Sequence, residues 1–329
     1  MKVLVVCSGN WCHIAPFISE QVDAIRKKGV EVDYFLVKGK GIGGYLKNFP
    51  RLRKIARVKK YDLIHAHYGL SGLLAVMQCK LPVVVTFHGV DLIDKDNVFC
   101  KSQYINKFHV LLSRIAARHS TYNIFVNKKI VVFPKKPHAV ISCGVNPSIF
   151  YPIEKQTSKE EMGFDRSKKH ILFASSFDYG IRKNFFLAKE AVSLVEGIDL
   201  IELKNYSRQE VCFLMNACDL LLVTSFFETG PQVVKEAMAC NCPIVSTGVG
   251  DVKEVLDNIV GCFICSYDPK DVAEKIKMAL AYGKRTKGRE RVLKYDNNLI
   301  AEKVIKVYEE VSNHNVISVK TGKLNDEIL

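Results

Sequence analysis

Glu228 and Glu236 are the side chains of this sequence best placed to do chemistry. They stand eight residues apart in one short segment that also holds Thr229, Gly230, Pro231 and Gln232. Pro231 predicts a helix start, because a residue without an N–H loses nothing where the N–H groups have no intrahelical partner. Glu228 then lies in the loop before the helix, and Glu236 between one and two turns inside it. Backbone N–H groups at a helix start attract anions. Two carboxylates beside them can accept the hydroxyls of a sugar or a ribose. Glutamates at this spacing are by themselves most often solvated surface charge. The surroundings argue otherwise. An apolar strand at 219–223 leads in, and a second strand at 243–246 and a turn bounded by Gly248 and Gly250 lead out. The carboxyl end of a strand in an open α/β sheet is where such sheets bind ligands.

The elements that position these residues follow from periodicity. Short β-branched runs at 3–6, 30–37, 63–67, 83–88, 124–126 and 139–142 alternate with helical patterns at 17–28, 45–60, 69–79 and 104–119. Alternation of this kind predicts a parallel sheet covered on both faces. A boundary is expected after Pro152, followed by a polar linker at 153–169 and a second alternation over 171–282. A last amphipathic helix, with Ile300, Val304, Tyr308 and Val311 on one face, is expected over 298–314 and to return to the first domain. The expected domains are thus 1–152 and 153–297, with a frayed tail at 315–329.

Composition bounds the function. At 329 residues there is room for two domains. Hydrophobic content of 48% and charged content of 25% are those of a soluble globular protein. No apolar run approaches the ~20 residues that span a bilayer, and the apolar start reads as a strand rather than a signal peptide. Most of the 11 cysteines lie in apolar segments. Cys262 and Cys265 form one C-x-x-C pair without a second half, so no structural zinc is expected, and the cysteine usage suits a reducing cytoplasm.

The net charge of +14 is uneven. Residues 1–150 hold 23 basic and 8 acidic side chains, a net of +15; residues 151–329 hold 25 and 26, a net of −1. The densest stretch, 38–60, carries nine basic residues and no acid. Lys47, Arg51, Arg53, Lys54 and Arg57 alternate there with Leu46, Phe49, Leu52, Ile55 and Ala56. This amphipathic pattern suits an anionic membrane surface, and equally a helix that packs its apolar side on its own domain. No nucleic-acid module is recognisable.

Several segments together resemble the family-4 glycosyltransferases, of GT-B fold. The Glu228–Glu236 spacing followed by Ala237, Met238, Ala239 and Cys240 and by Pro243-Ile244-Val245 resembles the family's E-x7-E signature. Residues 62–69, 85–91, 142–146 with 150–152, and 216–219 resemble other family segments in the expected order. The resemblance implies an α/β protein of two Rossmann-like domains whose parallel sheets face a deep cleft. It implies a metal-independent, cofactor-free enzyme that moves a sugar, with retention, from a nucleotide-diphosphate sugar (a UDP-sugar) to a glycan or lipid-linked acceptor. The setting it suggests is bacterial surface-polysaccharide synthesis, in the cytoplasm or peripheral on the inner face of the plasma membrane.

The roles it implies fall residue by residue. Glu228 would bond the donor sugar's hydroxyls and Glu236 the ribose. The segment Thr229, Gly230, Pro231 and Gln232 would meet the diphosphate. Arg182 and Lys183 would neutralise the leaving diphosphate. Gly9 and Asn10 would border the donor space. His88 would approach the transferred sugar, and His65, His67 and Tyr68 would lie on the acceptor side. Asp178 stands where the family often has a basic residue, and Arg182 is the candidate replacement. An inactive nucleotide-sugar-binding or scaffold protein of the same fold and a nucleotide-sugar epimerase are the rival readings. Two motifs read as decoys. Gly39, Gly41 and Gly44 match G-x-G-x-x-G but follow the second strand rather than the first. Asp94 and Asp96 mimic a D-x-D metal motif in a charged loop.

Overall fold

Strands rich in Val, Ile and Leu on both faces must be covered on both faces. The computed structural model, which describes residues 1–10, 14–58, 60–93, 103–175 and 182–325, shows two such sheets. Asp94, Asp96 and Asp178 lie outside the described residues.

The first sheet contains β1 (Lys2–Ser8), β2 (Glu31–Val37), β3 (Leu63–His67), β4 (Val83–Phe87), β5 (Tyr122–Phe125) and β6 (His138–Val140), in the order β2-β1-β3-β4-β5-β6. Every pairing is parallel. Every residue of β3 and β4 is buried, including His65, His67 and Thr86. The connecting helices are α1 (Pro16–Lys27), α2 (Gly41–Leu46), α3 (Phe49–Val58), α4 (Gly69–Val76) and α5 (Gln103–His119).

The single helix expected over 45–60 is two helices. Asn48 separates them: its Nδ2 donates to Lys38 O at 2.8 Å and Gly44 O at 2.7 Å. Pro50 falls in the first turn of α3, where it breaks no bond. The G-x-G-x-x-G run has a packing cause: a Cβ on Gly44 would lie 2.5 Å from the Gly39 carbonyl carbon.

The second sheet contains β7 (Lys169–Phe173), β8 (Ile198–Glu202), β9 (Leu220–Val223), β10 (Ile244–Thr247) and β11 (Cys262–Cys265), all parallel, in the order β11-β10-β9-β7-β8. Its helices are α6 (Lys155–Glu161), α7 (Phe185–Ser193), α8 (Arg208–Ala217), α9 (Gln232–Ala239), α10 (Val252–Leu256), α11 (Pro269–Tyr282) and α12 (Gly288–Val292). Helix α13 (Asn297–Asn325) closes the chain. Cys262 and Cys265 join the cores on opposite faces of the sheet, so they cannot chelate one ion, and burial pushes both thiols up to about 12.

The chain divides into two compact units, Met1–Ser142 with Asn298–Leu329, and Cys143–Asn297. The second unit starts before Pro152 because residues 143–153 pack with it. Phe150 and Val145 are buried in its core, Val145 N donates to Tyr295 O at 2.8 Å, and the Asn216 side chain bonds both Tyr151 O and Ile153 N. Ile300, Ala301, Val304, Val307, Tyr308 and Val311 of α13 enter the first unit's core beside Val3, Val5 and Leu63. The helix continues to Asn325, through most of the segment expected to fray, and no proline interrupts it.

Candidate functional site

The second unit builds its site where β9 ends. Thr224 and Ser225 are fully buried. The Thr224 hydroxyl is 2.9 Å from both Lys183 O and Asn184 O, and Phe226 N donates to Arg182 O at 3.0 Å. These bonds zip the loop before α7 to the loop after β9. They bring Arg182 Nη1 to 2.9 Å and Lys183 Nζ to 2.7 Å from Glu228 Oε1, and the Ser225 hydroxyl donates to the same oxygen at 3.2 Å. All three side chains of this ion-pair triad are largely buried.

Glu236 sits on α9. Pro231 is the cap of that helix rather than its first residue, so the helix begins one position later than expected, at Gln232. Glu236 is 4% exposed, and a carboxylate this deep needs a cation. Arg208, the first residue of α8, supplies it with an Nη2–Oε1 bond of 2.7 Å. The Arg208 guanidinium also lies 4.5 Å from the centre of the Phe150 ring. Both glutamates are therefore held through Oε1. Among the described residues no protein group bonds either Oε2.

The turn after β10 supports this loop from behind. Gly250 has φ +58°, and a Cβ there would lie 2.8 Å from the Thr229 carbonyl. Gly230 faces Asp251, whose carboxylate a Cβ would meet at 3.1 Å. Lys235 Nζ lies 3.7 Å from Asp251 Oδ2 and donates to Cys143 O at 3.0 Å. Gln232 donates its amide to Gly144 O, so this side chain braces the 143–144 segment.

The first unit gathers three histidines at the ends of β3 and β4. His65 is fully buried, with Nδ1 2.6 Å from Tyr308 Oη and Nε2 2.7 Å from Thr86 Oγ1. Both ring nitrogens are spent inside the unit, so His65 has no surface to offer an acceptor; it packs the strand against α13. His67 Nδ1 lies 3.2 Å from His88 Nε2, and the two rings stack 5.4 Å apart. Tyr68 and Phe17 complete the aromatic wall around His88, at 4.4 and 5.0 Å between ring centres.

Burial holds His67 down to about 3, and burial first and neighbouring histidines second hold His65 and His88 well below the usual histidine range. Asp91 anchors the cluster by accepting Gly69 N and Gly89 N, both at 2.9 Å, and burial raises its carboxyl to about 6. The Asn10 amide exchanges two bonds with Gly39, at 2.9 and 2.7 Å. Asn10 thereby ties the loop after β1 to the glycine-rich turn, and Gly9 sits against Leu36.

Comparison with known proteins decides the family. Residues 14–149 match the model "Glycosyltransferase Family 4", and residues 179–281 match "Glycosyl transferases group 1". An uncharacterized glycosyltransferase of Methanocaldococcus jannaschii is 28% identical over 92% of this chain and 90% of its own. The N,N'-diacetylbacillosaminyl-diphospho-undecaprenol alpha-1,3-N-acetylgalactosaminyltransferase of Campylobacter jejuni is 24% identical over 89% of each chain. The chain belongs to the family-4 glycosyltransferases.

Solved structures show the same fold for this glycosyltransferase. Sucrose-phosphate synthase from Thermosynechococcus elongatus superposes with a TM-score of 0.83 at 16% identity, over 94% of this chain and 98% of that one. HepE of Anabaena, in complex with UDP and glucose, superposes at 0.74 and 15% identity, over 94% and 100%. The fold is GT-B, and the enzyme is a glycosyltransferase.

In this glycosyltransferase the structure joins Glu228, Arg182 and Lys183 into one cluster, and places Glu236 on the adjoining helix. Arg208, Asp251 and Asp91 join these clusters without having stood out in the sequence. Arg208 carried a faint signal. A cation in the first turn of a helix opposes the helix dipole, and α8 is otherwise started by a full capping box between Ser207 and Glu210. Asp251 meets Lys235, and Asp91 reaches back to Gly69 as well as to the nearby Gly89, so the long-range part of both is announced by no local pattern.

Proposed function

We propose that the protein transfers a sugar from a UDP-sugar to a lipid-linked glycan acceptor, with retention of configuration, in the synthesis of a cell-surface polysaccharide. The observation that carries this reading is the matched state of the two signature glutamates. Each is fixed through Oε1 by cations, and each has an Oε2 with no protein partner among the described residues. A fixed carboxylate oxygen is a preorganised acceptor for hydroxyls: those of the donor sugar at Glu228 and those of the ribose at Glu236. Lys183 and Arg182 then stand where negative charge grows on a departing diphosphate. The leaving phosphate takes the acceptor's proton as the new glycosidic bond forms on the same face.

The acceptor side is assigned to His88, His67 and Tyr68. Neutral at pH 7, His88 can accept or donate a hydrogen bond to a sugar hydroxyl without adding charge. UDP is favoured as the carrier because HepE is described in complex with UDP and glucose. A lipid-linked acceptor is favoured by the diphospho-undecaprenol named for the Campylobacter relative. No helix of the described residues is long and apolar enough to cross a membrane. Contact with an anionic inner-membrane surface is assigned to α3, whose Arg51, Arg53, Lys54 and Arg57 are exposed while Leu52 and Ala56 are buried, with Lys47 beside it.

A donor screen tests the reading. The enzyme is incubated with UDP-, GDP- and ADP-sugars, with and without a bacterial lipid extract, and released nucleotide is counted. Release stimulated by extract from a UDP-sugar is the expected result. Conversion of the nucleotide sugar without acceptor would instead make it an epimerase, and no turnover of any donor would reject transfer.

A further inference from the structure

We propose that Arg208 is a positioning residue for nucleotide recognition: it clamps one oxygen of Glu236 so that the other is aimed at the ribose hydroxyls. The inference rests on the donor-site reading given above.

Four observations converge on Arg208. Its Nη2–Oε1 bond to Glu236 is 2.7 Å, the length of a strong charge-assisted bond. Its guanidinium lies over the Phe150 ring at 4.5 Å, and Phe150 has no exposed surface. The clamp is thus fixed by a rigid aromatic face as well as by the carboxylate. The residue stands at the first position of α8, where a helix favours an acid and an arginine is locally unfavourable. The start of α8 is already satisfied by the Ser207–Glu210 capping box, so the helix does not need Arg208. Its use lies across the gap to α9.

The consequence is geometric. The terminal torsion of a glutamate is broad, so an unanchored Glu236 would sample orientations that present either oxygen or neither. A planar guanidinium on Oε1 removes that freedom before the ligand arrives. Glu228 is held by the same device, with Lys183 and Arg182 as its clamps. The two signature carboxylates are therefore oriented by separate cations from separate elements, and each half of the donor can be weakened without the other.

The test is a cycle between protein and ligand, read by calorimetry on the full chain. UDP, GDP and ADP are titrated into the wild type, and the preferred nucleotide is then compared with its 2′,3′-dideoxy form. Arg208→Ala is expected to weaken the natural nucleotide about 10- to 100-fold, and the dideoxy form by less than about threefold, because only the former has hydroxyls for Glu236. Arg208→Lys, which keeps the charge and loses the planar fork, should restore part of the ribose-dependent affinity and serves as the second variant if Arg208→Ala does not fold. With the donor, Arg208→Ala should raise KM and leave kcat within about threefold. Equal loss for the natural and dideoxy nucleotides would overturn the inference, since a purely structural role cannot sense the ribose. Unchanged affinity for both would overturn it as well. A wild type that binds none of the three nucleotides would overturn the donor-site reading itself, and this inference with it.

Discussion

At the scale of single residues, the proposed donor site depends on charge held out of water. Glu228 faces two cations and a hydroxyl on one oxygen. Its loss would leave Arg182 and Lys183 close together without a counter-charge. The substitution Glu228→Gln keeps the shape and removes the charge. Turnover should fall by roughly 100-fold or more, while affinity for bare nucleotide changes by less than about threefold, since the nucleotide lacks the sugar proposed to contact Glu228. Steady-state kinetics and calorimetry on one preparation separate the two. Parallel collapse of turnover and nucleotide affinity would remove Glu228 from the sugar and make it a support for the phosphate site. His65 shows the opposite case. The family resemblance implied an acceptor contact for it, but Tyr308 and Thr86 occupy both ring nitrogens.

At the scale of elements, α3 is the informative case. Its basic amphipathic pattern suited either an anionic membrane surface or packing on its own domain, and burial supports the packing reading. Leu52 and Ala56 bury one face within the unit, and Arg53, Lys54 and Arg57 are exposed with Phe49, Pro50 and Val58 around one shallow depression. The Arg51 guanidinium lies 5.3 Å from the centre of the Phe35 ring, so part of its charge is spent on a cation–π contact within its own unit. Each cation near an anionic surface contributes about 1 kcal/mol. Replacing Arg53, Lys54 and Arg57 by Gln should therefore weaken binding to phosphatidylglycerol vesicles by roughly 100-fold in co-sedimentation, and Arg51→Gln by less than any one of these. Binding of the wild type should fade at high salt. Indifference to both lipid charge and salt would remove α3 from the membrane. The glycine-rich turn before α2 was legible as a motif and misleading as chemistry. Gly39 and Gly44 are needed for mutual contact, and Asn10 and Asn48 are the residues that hold that turn.

At the scale of the molecule, the histidine cluster makes stability depend on pH. His65, His67 and His88 have folded-state values below their unfolded ones. Below about pH 6.5 the unfolded chain therefore binds more protons than the native one, and stability falls as pH falls, down to about 3 for His67. Each such histidine can contribute up to about 1.4 kcal/mol per pH unit in that window. Asp91 acts with the opposite sign. Its folded value of about 6 lies above the unfolded one, so between about 4 and 6 it costs stability as pH rises and offsets part of the slope. Urea midpoints should decline from pH 7 to pH 5, and His67→Gln should flatten the decline. Midpoints that stay level over that interval in the wild type would contradict the buried neutral cluster.

What the sequence determined by itself was periodic or local. Strand and helix alternation predicted two parallel sheets, and the segment from Glu228 to Cys240 predicted a loop and helix at the end of a strand. The resemblance to a family rested on that same order of segments. Burial, charge pairing and the ends of the units were decided by tertiary structure. Phe150 and Val145 moved the boundary because they fill the second unit's core, and Arg208 found Glu236 across 28 positions of sequence. Side-chain partners far apart in the chain are chosen by packing, and packing energy is summed over contacts that no single stretch contains.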